Sequence, residues 1–275
     1  MRSLFGVRTP VIGMVHSLPL PGSPRFKHHD LQQVCDFGVA EALRLKDGGI
    51  DGLLLENAGD VPFVQEEHIG FETIAAMTVL GRAIREATEL PLGIITVANA
   101  ARASIAVAQA AGASFVRVNQ WANAYVANEG LIEGSAGVAL RYRSWIGADH
   151  VRVFADVHVK HGSHAITADR TISEQAIDAE FFDADVLIAT GTRTGSETTV
   201  EEVEAVRARV SAPVIVGSGL SIGNCRALLA VANGAIIGSA VKDNERMHGG
   251  HVDVAKVRAL MDVVAELREG AASYP

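Results

Sequence analysis

Residues 214–240 read VIVGSGLSIGNCRALLAVANGAIIGSA. A β-branched run ends in Gly217-Ser218-Gly219, a helical stretch follows, and a second run ends in Gly238-Ser239-Ala240. Buried strand, glycine turn, helix and buried strand again is the repeating unit of a parallel sheet with crossover helices. Outward from this stretch the same design recurs. Apolar runs ending in a polar residue or glycine occupy residues 11–16, 52–57, 92–97, 115–119, 151–160 and 186–190, which makes eight runs in a chain of 275 residues. Eight such units predict a closed (β/α)8 TIM barrel, with residues 1–275 forming one domain. A barrel of this kind places its chemistry at the carboxyl ends of its strands, so position alone selects the residues to read.

The intervening stretches carry helix signals. Asp30 is a plausible N-cap for apolar residues at Leu31, Val34, Val39, Ala42 and Leu43, and Gly48-Gly49 stops that helix. Further helices are predicted over residues 72–87, 101–111, 136–146, from Ser173 as N-cap, over 201–210, and over 254–268 after Asp253. The run at 186–190 continues into Gly191-Thr192-Arg193-Thr194-Gly195. The connection 120–134 exceeds the usual length for a compact fold and is a candidate lid over the strand ends.

Composition narrows the function classes. A net charge of −8, with no lysine or arginine run, argues against a nucleic-acid partner. The content is 48% hydrophobic with only 5% aromatic, which suits layered aliphatic packing. No run approaches the length of a membrane span, and the N-terminal apolar stretch is broken by Arg8, Thr9 and Pro10, so a cytoplasmic protein is expected. Cys35 and Cys225 lie in separate helical stretches and read as buried thiols. No Walker loop, dinucleotide fingerprint, nucleophile elbow or paired-histidine zinc helix is present.

The strand ends supply the candidate chemistry. Gly217, Ser218, Gly219, Gly238 and Ser239 form two small-residue turns on adjacent strands, where exposed N–H groups suit a phosphate, with Lys242 as an added charge. The competing reading is two tight βα turns and a solvated lysine. On the run 151–160, alternation puts Asp156, His158 and Lys160 on one face, a set suited to acid/base catalysis or to a metal-ligand pair with a charge partner. Asp156, deeper in the barrel, must meet a cation or several donors; Lys160 is the natural partner and Arg117 the alternative. Arg117 otherwise binds an oxyanion, and Asn119 orients a substrate.

Glu56, Asn57 and Asp60 close the second run; paired carboxylates there act as acid and base or hold a divalent cation, unless Asp60 only caps a turn. His16 closes the first run and is either catalytic or a core histidine. His161, His164, His248 and His251 lack the convergence of a zinc site and read as solvated loop residues.

Several of these segments also resemble a known family. Gly13-Met-Val-His-Ser-Leu-Pro-Leu-Pro-Gly-Ser-Pro24, Glu56-Asn-Ala-Gly-Asp-Val-Pro-Phe63, Phe115-Val-Arg-Val-Asn119, Asp156-Val-His-Val-Lys-His161 and Gly217-Ser-Gly219 look like successive motifs of the BtpA/SgcQ family. The resemblance implies a barrel related to the ribulose-phosphate-binding group. It also implies a link to photosystem I biogenesis, the role from which the family takes its name.

Two functions are therefore expected in competition. The first is an enzyme acting on a small phosphorylated metabolite, most simply a sugar phosphate, by isomerase, epimerase or aldolase-type lyase chemistry. Asp156, His158, Lys160, Glu56 and His16 would be its catalytic groups, without a resident cofactor unless a divalent metal binds. The second is a non-catalytic assembly or stability factor for a larger complex. A homo-oligomer is compatible with both.

Overall fold

A computed structural model of the chain describes residues 1–28, 30–191 and 198–272. Eight parallel strands close into a barrel: β1 (Val11–His16), β2 (Gly52–Glu56), β3 (Leu92–Ile95), β4 (Phe115–Val118), β7 (Arg152–Val157), β8 (Val186–Ala189), β9 (Val214–Val216) and β10 (Ala235–Ile237). The ring closes where β10 pairs with β1, Val11 opposite Ala235. The connection after β4 holds a separate antiparallel hairpin, β5 (Ala124–Ala127) and β6 (Gly130–Glu133). Helices α1 (Arg2–Phe5), α2 (Leu31–Asp47), α3 (Phe71–Thr88), α4 (Ala101–Ala111), α5 (Ala136–Trp145), α6 (Ile172–Phe181), α7 (Val200–Arg207), α8 (Cys225–Val231) and α9 (Val254–Ala272) complete the fold. None of the described helices is long and apolar enough to cross a membrane.

Strand alternation divides the core in two. Val11, Val15, Leu53 and Leu55 face outward into the main cluster against the helices. Ile12, Met14, Leu54, Phe115 and Phe154 face inward and fill the barrel. Phe115 and Phe154 stack with centroids 4.4 Å apart, and Phe5 of α1 meets both edge-on, at 5.7 and 6.4 Å. The N-terminal helix therefore plugs the barrel floor. Gly93 is required here, since a Cβ would lie 2.2 Å from the Phe115 ring.

The caps follow the sequence in two cases and differ in one. Asp30 forms a capping box with Gln33, and the Asp253 carboxylate accepts from the N–H groups of Ala255 and Lys256. Helix α6, by contrast, is capped by Thr171 in a capping box with Glu174, and Ser173 instead donates to the Ala205 carbonyl. Thr171 begins two residues earlier because Glu174 can return the hydrogen bond, which nothing after Ser173 does. Cys35 and Cys225 are buried free thiols.

Candidate active site at the carboxyl rim

Period-two alternation carries the inward faces of four strands from an apolar floor to a polar rim. Phe115 is followed inward by Arg117, Phe154 by Asp156, Leu54 by Glu56, and Met14 by His16. Three of these side chains, His16, Glu56 and Arg117, line a cavity of about 690 Å³ together with Asn119, Lys160, Gly217, Ser218, Gly219, Gly238 and Ser239, whereas Asp156 does not reach its lining.

At its base lies a buried ion pair. Arg117 Nε donates to Asp156 Oδ1 at 3.0 Å and Arg117 Nη2 to Oδ2 at 3.1 Å. Asn119 Nδ2 adds a third bond to Oδ2, at 3.0 Å. Burial alone would lower the Arg117 pKa; the Asp156 carboxylate overrides it and raises the guanidinium above its ordinary value. Arg117 is thus the cation that Asp156 required, and the expected Asp156–Lys160 pairing does not form. The Arg117 fork matches a carboxylate at two points, which a single ammonium cannot do.

Lys160 consequently has a neutral partner. Its Nζ donates to Ser218 Oγ at 3.0 Å, and no carboxylate among the described residues lies within ion-pair distance. Burial first, then the Arg117 charge, lower its pKa to about 8, against smaller opposing effects of Asp156 and Glu56. Glu56 is pushed up by burial more than Arg117 and Lys160 pull it down, so its carboxyl tends toward the protonated form. His16 is held neutral, with a pKa of about 3, by burial and then by Lys242, His248, Lys160 and Arg117. Its Nδ1 is buried with no hydrogen-bond partner.

Four expected site residues are absent from the lining: Asp156, held by Arg117 and Asn119, and His158, Asn57 and Lys242. His158 does not share the face of Asp156 and Lys160: β7 ends at Val157, and His158 adopts φ +55°, which breaks the alternation. Its ring stacks on His164 at 3.8 Å, with Nδ1 3.3 Å from Gln175 Nε2, outside the cavity lining. Asn57 is a structural brace whose Oδ1 accepts from Val97 N–H at 2.8 Å, while Nδ2 donates to Asp60. Asp60 also accepts from Leu20 N–H, tying the loops after β1 and β2 together. Lys242 is buried, with Nζ donating to the Met247 carbonyl, and does not line the cavity. Among the described residues, no three His, Cys, Asp or Glu side chains converge on a metal-sized site.

The long connection is a roof anchored on both sides. Gln65 Nε2 donates to the Glu129 and Leu131 carbonyls. On the opposite side Val126 and Ser163 exchange backbone hydrogen bonds, and Tyr125 stacks on His164 at 5.2 Å. His164, read from sequence as a solvated loop residue, is instead the middle ring of this stack. Replacing Gln65 with Ala should cost about 1 kcal/mol and speed amide exchange across residues 124–133, with the barrel strands unchanged. Hydrogen-exchange mass spectrometry reads this directly.

The roof brings Tyr125, Asn128 and Glu129 into the lining, with Phe63 from the loop after β2 and Arg246 from the loop after β10. Burial, then Asp156 and Glu129, raise the Tyr125 phenol above its ordinary pKa. None of these five was legible as a site residue, although the length of the connection marked the roof itself. Residues 192–195, which follow the run at 186–190 in sequence, lie outside the described residues.

The turns after β9 and β10 meet the same cavity. Gly219 adopts φ +76°, a conformation that favours glycine. Ser239 opens a short 3-10 helix, Ser239–Val241, so the first N–H groups there lack intrahelical acceptors.

Comparison with known proteins agrees with the motifs. The BtpA family model matches residues 7–266. The chain belongs to the BtpA family. An uncharacterized protein from Archaeoglobus fulgidus is 40% identical over 251 residues, 91% of this chain and 96% of that one. The photosystem I biogenesis protein BtpA of Synechocystis is 35% identical over 264 residues, covering 95% and 90% of the two chains. Among solved structures, (S)-3-O-geranylgeranylglyceryl phosphate synthase from Thermoplasma acidophilum, in complex with its substrate sn-glycerol-1-phosphate, aligns with a TM-score of 0.58 at 15% identity. The alignment covers 96% of each chain. That likeness establishes the TIM-barrel fold of this BtpA-family chain and no more.

Proposed function

We propose that this protein is an enzyme acting on a small phosphorylated metabolite, by isomerase, epimerase or lyase chemistry. The observation that carries the reading is convergence. The turns at 217–219 and 238–239 open onto the same cavity as a neutral His16, a Glu56 with raised pKa, and Arg117, which Asp156 holds in place. Phosphate would sit against the turns, with Ser218 and Arg246 as further donors. Glu56 and His16 face the carbon skeleton as proton donor and acceptor. Arg117 and Asn119 orient the ligand's oxygens. The phosphate ligand named for the Thermoplasma synthase supports the same reading by fold analogy.

Thermal-shift titration with inorganic phosphate, triose and pentose phosphates and divalent cations tests this. A phosphate ester in large excess over its Kd should raise Tm by several degrees. A panel without any shift would overturn the proposal. It would favour the second reading, an assembly factor, which rests on the name of the Synechocystis relative.

A further inference from the structure

We propose that Lys160 is a covalent nucleophile that forms an imine with a short phosphorylated aldehyde or ketone, an inference resting on the phosphate-binding reading above. Lys160 carries the one primary amine among the described residues that line the cavity. Its expected counter-ion, Asp156, is saturated by Arg117 and Asn119, which leaves the amine hydrogen-bonded to a neutral hydroxyl. At a pKa of about 8, roughly a tenth of the amine is unprotonated at neutral pH, far above an ordinary lysine.

The chemistry balances with groups already in place. The free amine attacks the carbonyl carbon, a C–N bond forms, and the π pair moves to oxygen. That oxygen takes one proton from the nitrogen and one from the Glu56 carboxyl, then leaves as water. The product is a protonated imine with the Glu56 carboxylate beside it. The imine nitrogen withdraws electrons from the neighbouring carbon, which prepares either loss of its proton or cleavage of the next C–C bond.

Position limits the substrate. Lys160 Nζ lies 3.0 Å from Ser218 Oγ, at the centre of the turn assigned to phosphate. A carbonyl must approach an attacking amine to about 3–3.5 Å. The carbonyl therefore stands one or two carbons from the phosphoester, as in triose phosphates, and the far end of a pentose 5-phosphate lies beyond reach. The rest of the cavity, beneath Tyr125 and Phe63, is left for a second reactant or a longer tail.

Borohydride reduction with dihydroxyacetone phosphate, glyceraldehyde 3-phosphate or ribose 5-phosphate, followed by peptide mass mapping, tests the proposal. The expected result is a reduced adduct on Lys160, with the triose phosphates labelling roughly tenfold more than ribose 5-phosphate. Lys160→Arg should retain the phosphate-induced thermal shift and lose the adduct. A thermal shift with phosphate esters but no adduct at Lys160 overturns the imine while leaving the phosphate site standing. Equal labelling by ribose 5-phosphate overturns the short-substrate assignment. Absence of any thermal shift removes the phosphate reading itself.

Discussion

Replacing Asp156 with Ala is expected to destabilise the fold by about 3–5 kcal/mol. The Asp156 side chain is fully buried and Arg117 is 6% exposed, so the variant leaves a largely buried guanidinium without its carboxylate. The charge sits at mid-barrel, immediately above the stacked Phe115 and Phe154 rings. Urea denaturation measures the loss. The double replacement Arg117→Met with Asp156→Leu should return most of the stability, because it removes the cost of burying both charges. It should also abolish any thermal response to phosphorylated ligands, since the polar base of the cavity goes with the pair. A loss below about 1 kcal/mol in Asp156→Ala would mean that the pair is solvated and worth no more than a surface salt bridge.

Acid should weaken the protein through His16. In the unfolded chain this imidazole titrates near 6.5, whereas in the fold it resists protonation until about pH 3, because of burial and then the neighbouring cations. The folded-state value is depressed, so the stabilisation is complete above about pH 6.5 and is lost as the pH falls toward 3, where only the unfolded chain gains the proton. At pH 4.5 the loss amounts to about 2–3 kcal/mol. Urea denaturation of the native protein and of His16→Gln at pH 7 and 4.5 isolates it from other acid effects. The native protein should lose about that much more than the variant over the interval. Equal losses would place the responsible proton elsewhere.

The site was partly readable because barrel strands obey a two-residue period. Once residues 115–119 and 151–160 are strands, a Phe two positions before Arg117 and another before Asp156 fix which faces point inward. The same rule failed at His158. Alternation holds only while the backbone stays extended, and the left-handed conformation there turns the ring toward His164 and Gln175. Nothing in a run of apolar and polar residues announces that change.

Lys160 and Lys242 depart from their expected roles for a related reason. Both were cations near strand ends, but the burial of Lys242 under its own loop and the exposure of Lys160 to the cavity depend on loop paths. Tyr125 and Phe63 reach the mouth on loops whose sequences carry no catalytic pattern. Their contribution arises only when Gln65 and the Val126–Ser163 bridge hold the hairpin over the rim.

The chain's amino-acid order thus determined the eight-unit barrel and the strand-end positions of His16, Glu56, Arg117 and Asn119, with Asp156 deeper in the barrel, because local periodicity and burial act over a few residues. Only the closed tertiary structure decided which cation neutralises Asp156. Arg117 and Lys160 are equally available in sequence, and the choice depends on which can set two donors against one carboxylate across adjacent strands. That single pairing leaves Lys160 without a counter-ion among the described residues at the cavity wall, and no pattern in the sequence encodes it.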